Sequence, residues 1–144
     1  MIQGMQEAYG ILGVPMYASK DAIIYRIEVD SGNVLVKENQ FVKQGTLLVD
    51  DKIEISSGGL ESVPTKGRVI GITWYVIDIE VNKFDNDDGE IFEFALSKGR
   101  DELNSKVTNI INVRSQNLLK YEKESSIIRV RIHYEVLEDI SKGD

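Results

Sequence analysis

Apolar and polar residues alternate along three segments of the chain. Every second residue is apolar from Ile23 to Val29 and again from Ile128 to Val136. Residues 68–81 are apolar throughout their first half and alternate in their second half. A period of two is the signature of a strand with one buried face, and a continuous apolar run is typical of a strand buried on both faces. These patterns predict strands at about 21–30, 68–81 and 128–136.

Two similar short phrases, 32–37 and 45–50, lie thirteen positions apart. Each begins with a glycine that leads into a short β-rich run. Alternation continues through Ile53 and Ile55, and a loop at 56–59 closes it. Short strands separated by glycine turns at this spacing predict a small, folded-over β-unit.

A helix is predicted in the last third of the chain. Asp87 and Glu90 have the spacing of an N-cap and its capping-box partner, and apolar residues then recur at helical spacing as far as Val107. We expect a helix over about 90–107 that lies close to a sheet through Gly99. A weaker strand candidate follows at 112–121. The resulting α-β-β order predicts a β-rich α+β protein, with one domain at 17–81 and a second at 88–140.

Composition narrows the function. The 144 residues carry a net charge of −7 with no basic cluster, so we expect no nucleic-acid partner. The absence of cysteine excludes thiolate catalysis and disulfides. The longest apolar run, 70–77, is far shorter than the roughly 20 residues of a membrane helix, and the N-terminus lacks a basic region followed by an apolar core. We therefore expect this chain itself to be soluble.

Lys52 is a candidate acceptor for a lipoyl or biotinyl group. The stretch GTLLVDDKIEIS, residues 45–56, places it between two β-runs, where a carrier domain holds its modified lysine at an exposed hairpin tip. The second Gly-x-x-Val-x-x-Gly phrase that such domains need is missing after Lys52. We therefore interpret Lys52 as an unmodified hairpin tip. Intact mass after co-expression with the ligase separates the two interpretations.

Other candidate sites have structural explanations. His133, the only histidine, falls on the polar face of its strand and lacks the further histidine or cysteine ligands of a zinc site. An EF-hand alignment of the acidic run 85–90 puts Phe84 and Ala95 where carboxylates are required. Trp74 and Tyr75 are adjacent, so they face opposite sides of their strand. We predict no catalytic residue, metal or cofactor.

Several motifs together resemble the YqfD-type sporulation proteins of endospore-forming bacteria. The opening Ala-Ser-Lys-Asp and the closing Thr-Trp-Tyr are the distinctive ones, and three of the glycines between them also match the family motifs. The residues that carry the resemblance are Ala18, Ser19, Lys20, Asp21, Gly32, Gly45, Gly67, Thr73, Trp74 and Tyr75. The C-terminal strand, which ends at Ile140, is also similar to the end of that family.

The resemblance implies a membrane-anchored, non-enzymatic sporulation protein whose region here lies on the extracytoplasmic face of a membrane. It also implies a first half similar to the barrel-sandwich hybrid of lipoyl domains and efflux adaptors. The membrane spans of the family are missing from this sequence, so we expect an excised fragment or a truncated relative. The segment 82–89 is shorter than its counterpart in the family.

We therefore interpret the chain as a scaffolding or protein-interaction region, with a protein partner or self-association. An unpaired edge strand at 127–138 would permit assembly between sheets. Two alternatives stay open. One is a carrier domain that uses Lys52, and the other is an efflux-adaptor-like module, although the link 52–64 is too short for the helical hairpin of such adaptors.

Overall fold

The computed structural model describes residues 14–83 and 87–142. Across these residues the chain is β-rich α+β, with ten strands and one helix, which confirms the predicted fold class. In chain order the elements are β1 (Met16–Tyr17), β2 (Ala22–Ser31), β3 (Asn33–Val34), β4 (Phe41–Val42), β5 (Leu47–Asp50), β6 (Lys52–Glu54), β7 (Leu60–Ser62), β8 (Lys66–Asn82), α1 (Asp88–Lys106), β9 (Ile110–Lys123) and β10 (Ile127–Asp139).

The chain divides into two compact units. Of the described residues, the first contains 14–73 together with 138–142, and the second contains 74–83 together with 87–137. The first unit is therefore discontinuous in sequence. The domains at 17–81 and 88–140 stay predictions, because a compact unit is not by itself an independently folding domain.

In the first unit, β2 pairs antiparallel with β4 on one side and with β8 on the other. A separate three-stranded sheet has the order β1-β5-β3. Apolar residues from these strands meet in one core. Its buried members are Ala18, Ala22, Ile24, Val36, Val42, Leu48, Val49, Val69 and Ile140. On β2, however, the fully buried residues are Ala22 and Ile24, whereas Tyr25 of the predicted apolar face is 38% exposed, because the pairing with β8 shifts register between Ile24 and Arg26.

The predicted hairpin around Lys52 is wrong. β5 pairs with β1 and β3, whereas β6 pairs with β7, so the two β-runs of GTLLVDDKIEIS belong to different sheets. The turn of the β6–β7 hairpin lies at 55–59, where the amide of Gly58 donates to the carbonyl of Ile55. Lys52 is instead the first residue of β6. Alternation identified both strands but carries no information about their partners.

The second unit contains α1, β9 and most of β8 and β10. The largest sheet has the strand order β4-β2-β8-β10-β9, so β10 has a neighbour on each side. The expectation that 127–138 forms an unpaired edge is therefore wrong, and β9 is the edge strand at this end of the sheet. The residues of β9 are largely exposed along the strand, which is typical of an edge, whereas β10 buries every second residue from Ile128 to Val136 and then every residue to Asp139.

Helix α1 begins and packs as its sequence predicts. The Asp87 side chain accepts a hydrogen bond of 2.8 Å from the amide of Glu90, which satisfies one of the free donors in the first turn. Buried residues recur every four positions, at Ile91, Ala95, Gly99 and Leu103. A β-carbon on Gly99 would lie 2.7 Å from the Tyr134 hydroxyl, so glycine is what allows the helix to lie this close to β10.

Candidate functional site

The Ala18–Asp21 motif ties the start of the first unit to its surroundings through the backbone. The amide of Ala18 donates to the carbonyl of Thr46, and the amide of Gly45 donates back to the carbonyl of Ala18, both at 2.8 Å. The amide of Ser19 donates to the carbonyl of Ile140. The Asp21 carboxylate accepts a hydrogen bond from the backbone amide of Gln44. These residues hold the chain in place, and Ala18 itself is buried.

Lys20 of the opening motif and Thr73, the first residue of the closing motif, bind the same buried carboxylate. The ammonium of Lys20 lies 2.7 Å from Oε2 of Glu138, and the Thr73 hydroxyl donates to Oε1 at 2.8 Å. The Glu138 side chain is 1% exposed and that of Lys20 is 23% exposed. We call Lys20, Thr73 and Glu138 the Glu138 cluster. Each charge in it is compensated inside the first unit, so its geometry is that of a structural ion pair.

Glu138 is not among the predicted site residues, although the sequence carries a signal for its burial. The apolar residues of β10 occupy even-numbered positions from Ile128 to Val136. Continuing that alternation by two residues puts Glu138 on the buried face. A carboxylate on a buried face requires a compensating charge, and the partner, Lys20, lies more than one hundred residues away in sequence. The alternation shows the burial of Glu138, but only the fold shows its partner.

Trp74 and Tyr75 lie on opposite sides of β8. Tyr75 packs against the core of the second unit. Trp74 is 39% exposed, and its indole N–H donates to the Glu135 carboxylate at 3.1 Å. The closing motif therefore supplies one buried hydroxyl in the first unit and one exposed aromatic ring in the second.

A comparison with protein-family models places these motifs in a known family. The model described as "Putative stage IV sporulation protein YqfD" matches residues 14–87, which include both motifs and the three glycines. The chain belongs to the YqfD family. The resemblance stated above is thereby confirmed, and this is a sporulation-related protein. No curated protein and no solved structure matches it.

The match ends at residue 87, so the likeness of the C-terminal strand to the end of the YqfD family stays a prediction. The barrel-sandwich interpretation of the first half also stays a prediction, since there is no matching structure to compare. In the part of the chain that the structure describes, no helix is both long and apolar enough to cross a membrane.

Lys52 of this YqfD chain is held in an ion pair. Its ammonium lies 2.6 Å from Oδ2 of Asp51, and the Ser62 hydroxyl donates to the same oxygen at 3.0 Å. Asp51 raises the pKa of Lys52, and the hydrogen bond from Lys52 lowers the pKa of Asp51 more than its partial burial raises it. Lys52 therefore pairs with a neighbouring carboxylate at the start of a strand, not at the tip of a hairpin.

Lys52→Gln is expected to raise the pKa of Asp51 toward its ordinary value of 3.8. Because the folded state lowers this pKa, the pair stabilises the protein above the unfolded pKa, and that contribution is lost as the pH falls through the folded value. As the pH is lowered below about 3.8, the free energy of unfolding should therefore fall less in the variant than in the unaltered chain. An NMR titration of the Asp51 carboxyl carbon measures the shift.

Glu28 is the internal control for this titration, because Arg68 holds its pKa low independently of Lys52. Its titration should be the same in both proteins. An Asp51 titration that does not move in Lys52→Gln would contradict the assigned cause.

The second unit exposes one face of its sheet. On β8, Trp74 and Val76 alternate with residues that pack into the core, and Val76 is 51% exposed. Leu118 on β9 is 42% exposed and has the same parity as Arg114, whose guanidinium reaches Glu135 on that face. We call the surface with Trp74, Val76 and Leu118 the open face. His133 lies half-buried on the same side of β10.

Charged side chains beside the open face compensate one another. Nε and Nη2 of Arg131 donate to the two carboxylate oxygens of Asp78, at 2.7 and 3.3 Å. Nη2 of Arg129 lies 3.7 Å from Oε2 of Glu80. These four residues line a depression of about 370 Å³ together with Lys120 and Glu122. Three acidic and three basic side chains balance there, so the depression selects neither anions nor cations. Among the described residues, no three His, Cys, Asp or Glu side chains are grouped to hold a metal ion.

The acidic run before α1 is explained in part by helix capping. Asp87 is the N-cap of α1, and Asp88 forms an ion pair of 2.7 Å with Lys123. Residues 85 and 86 of that run lie outside the described residues.

Proposed function

We propose that this chain is a non-catalytic scaffolding or protein-interaction region of a membrane-anchored YqfD protein, on the extracytoplasmic face of a membrane in sporulating cells. The membership of the family supports the link to sporulation. The membrane attachment and the face of the membrane follow from the resemblance alone.

The observation that carries the interaction role is a difference between the motif residues in where their side chains lie. Lys20, Asp21 and Thr73 direct their polar groups to partners inside the first unit, which supports a structural role for these three residues. Trp74 presents its ring at the surface, next to Val76. Exposed aromatic and aliphatic side chains surrounded by charged ones are the composition of a protein-binding surface.

Trp74 also has the properties of a binding anchor. Tryptophan is over-represented among the side chains that contribute most to protein interfaces, because one ring buries a large apolar area at a small cost in conformational entropy. The hydrogen bond to Glu135 fixes the indole in one orientation in the free protein. The conformational entropy that the ring loses when a partner covers it is therefore smaller.

Photocrosslinking in sporulating cells tests this proposal. A photoreactive residue at Val76 of the parent protein should give a discrete protein adduct in the membrane fraction of sporulating cells. The same residue at Lys43, which is exposed in the first unit, serves as the matched control and should give none. A parent protein found in the soluble fraction of growing cells, with no adduct at Val76, would contradict the proposal.

A further inference from the structure

Strand β9 is an open edge of the sheet. Within residues 14–83 and 87–142 its single strand neighbour is β10, so one side of its backbone has no strand partner there. β9 is 14 residues long. Natural edge strands are blunted by short length, proline, bulges or charged side chains, because a bare edge is a template for another strand.

The first ten residues of β9 lack most of these protections. From Ile110 to Leu119 they contain one charged residue, Arg114, and no proline. Ile111, Leu118 and Leu119 are exposed, with Leu119 56% accessible. These ten residues are half apolar, and a long edge that carries exposed aliphatic side chains and few charges is suited to pairing with another strand.

The geometry points to a second copy of this chain as the occupant, paired antiparallel along β9 with Leu118 at the two-fold axis. This inference rests on the proposed interaction role and names the partner. The two sheets would become one continuous sheet, and the backbone N–H and C=O groups of the two edges would satisfy one another.

Charge complementarity selects this register. With Leu118 opposite its own counterpart, Arg114 of each copy lies opposite Glu122 of the other, which gives two symmetric ion pairs. Both side chains are on the face that carries Leu118, because residues four apart on a strand share a face. Lys120 then lies opposite Gln116, so no like charges meet.

Neighbouring registers are less favourable. Centring the pair on Asn117 would put Arg114 opposite Lys120, and centring it on Lys120 would put two lysines opposite each other. Like charges directly opposite destabilise a strand pair, whereas opposite charges stabilise it. Centring the pair on Tyr121 would also put Lys120 opposite Glu122, but it would pair only residues 119–123 of β9, whereas centring it on Leu118 pairs residues 113–123. Complementary charge over this longer overlap favours a second copy over an unrelated strand.

A charge-swap experiment tests the inference on the full chain by analytical ultracentrifugation. The unaltered chain should show a reversible dimer of its 16.2 kDa monomer. Arg114→Glu alone and Glu122→Arg alone each place like charges opposite one another twice, so each should weaken the dimer by about tenfold or more. The double variant restores opposite charges and should recover the affinity of the unaltered chain to within a few fold.

Lys43→Glu, which reverses an exposed charge in the first unit, is the matched control and should leave the dimer unchanged. Circular dichroism of each variant separates a lost interface from a lost fold. If Arg114 and Glu122 acted only within one chain, the double variant would not recover the dimer affinity of the unaltered chain.

A cysteine at the two-fold axis tests the register. The chain has no cysteine, so Leu118→Cys introduces a single thiol that should form a disulfide-linked dimer on mild oxidation. Lys43→Cys should remain largely monomeric under the same conditions.

A chain that stays monomeric from nanomolar to millimolar concentration would overturn the inference, as would a dimer that is insensitive to both single reversals. The photocrosslink at Val76 separates this failure from that of the proposed function. If the chain is monomeric and a different protein is crosslinked at Val76, the proposed interaction role is supported and only the proposal of a second copy as the partner is wrong.

Discussion

Lys20→Met is expected to lower the free energy of unfolding by about 3–5 kcal/mol, because it leaves the Glu138 carboxylate buried without its counter-charge. The Thr73 hydroxyl still donates to Oε1 of Glu138, but a neutral donor does not compensate a full charge. Urea denaturation followed by circular dichroism measures the loss, and amide hydrogen exchange in β2 shows whether the first unit is what opens.

The companion variants separate the ion pair from packing. Lys20→Met with Glu138→Gln removes both charges and keeps an acceptor for Thr73, so it should be more stable than Lys20→Met alone. Lys43→Met, at an exposed lysine, should change the stability by less than about 0.5 kcal/mol. If the double variant were less stable than Lys20→Met alone, the pair could not be the origin of the effect.

Gly67→Ala is expected to destabilise the protein by about 3 kcal/mol or more, as the sum of backbone strain and a steric clash. Gly67 has a φ of +123°, a backbone conformation that residues other than glycine rarely adopt. A β-carbon there would press on the carbonyl oxygen of Glu28 and lie 2.6 Å from Cα of Val29. These are backbone atoms of β2, so relief would require β2 and β8 to separate where Val29 pairs with Gly67.

Gly45→Ala is the matched control, since Gly45 also has a positive φ, of +89°, but has open space where the β-carbon would be. It should cost about 1–2 kcal/mol from strain alone. Thermal and urea denaturation of the two variants give the comparison. Equal losses at Gly67 and Gly45 would mean that strain, not the close approach of β2, is why glycine occupies position 67.

Local patterns were enough to predict most elements. β2 was expected at 21–30 and is at Ala22–Ser31, and the helix expected at 90–107 is α1 at Asp88–Lys106. These predictions depend only on periodicity and capping, which are properties of neighbouring residues. The weaker strand candidate at 112–121 is the edge strand β9, which spans Ile110–Lys123.

Long-range pairing was beyond the same patterns. Nothing near Lys52 shows that β5 and β6 join different sheets, or that β10 is an interior strand. The motif residues Lys20 and Thr73 were identified, but their common partner, Glu138, was not. Those facts depend on contacts between residues far apart in sequence, which alternation does not report.

The discontinuity of the first unit orders events during synthesis. Its core includes Ile140, and the amide of Ile140 donates to the carbonyl of Val69, 71 positions earlier. A nascent chain that ends at Leu137 therefore contains the whole contiguous stretch 74–137 but lacks the residues that complete the first unit. The first unit, although it starts earlier in sequence than the second, is therefore completed later during synthesis, and removal of residues 138–142 should destabilise β2 and β8.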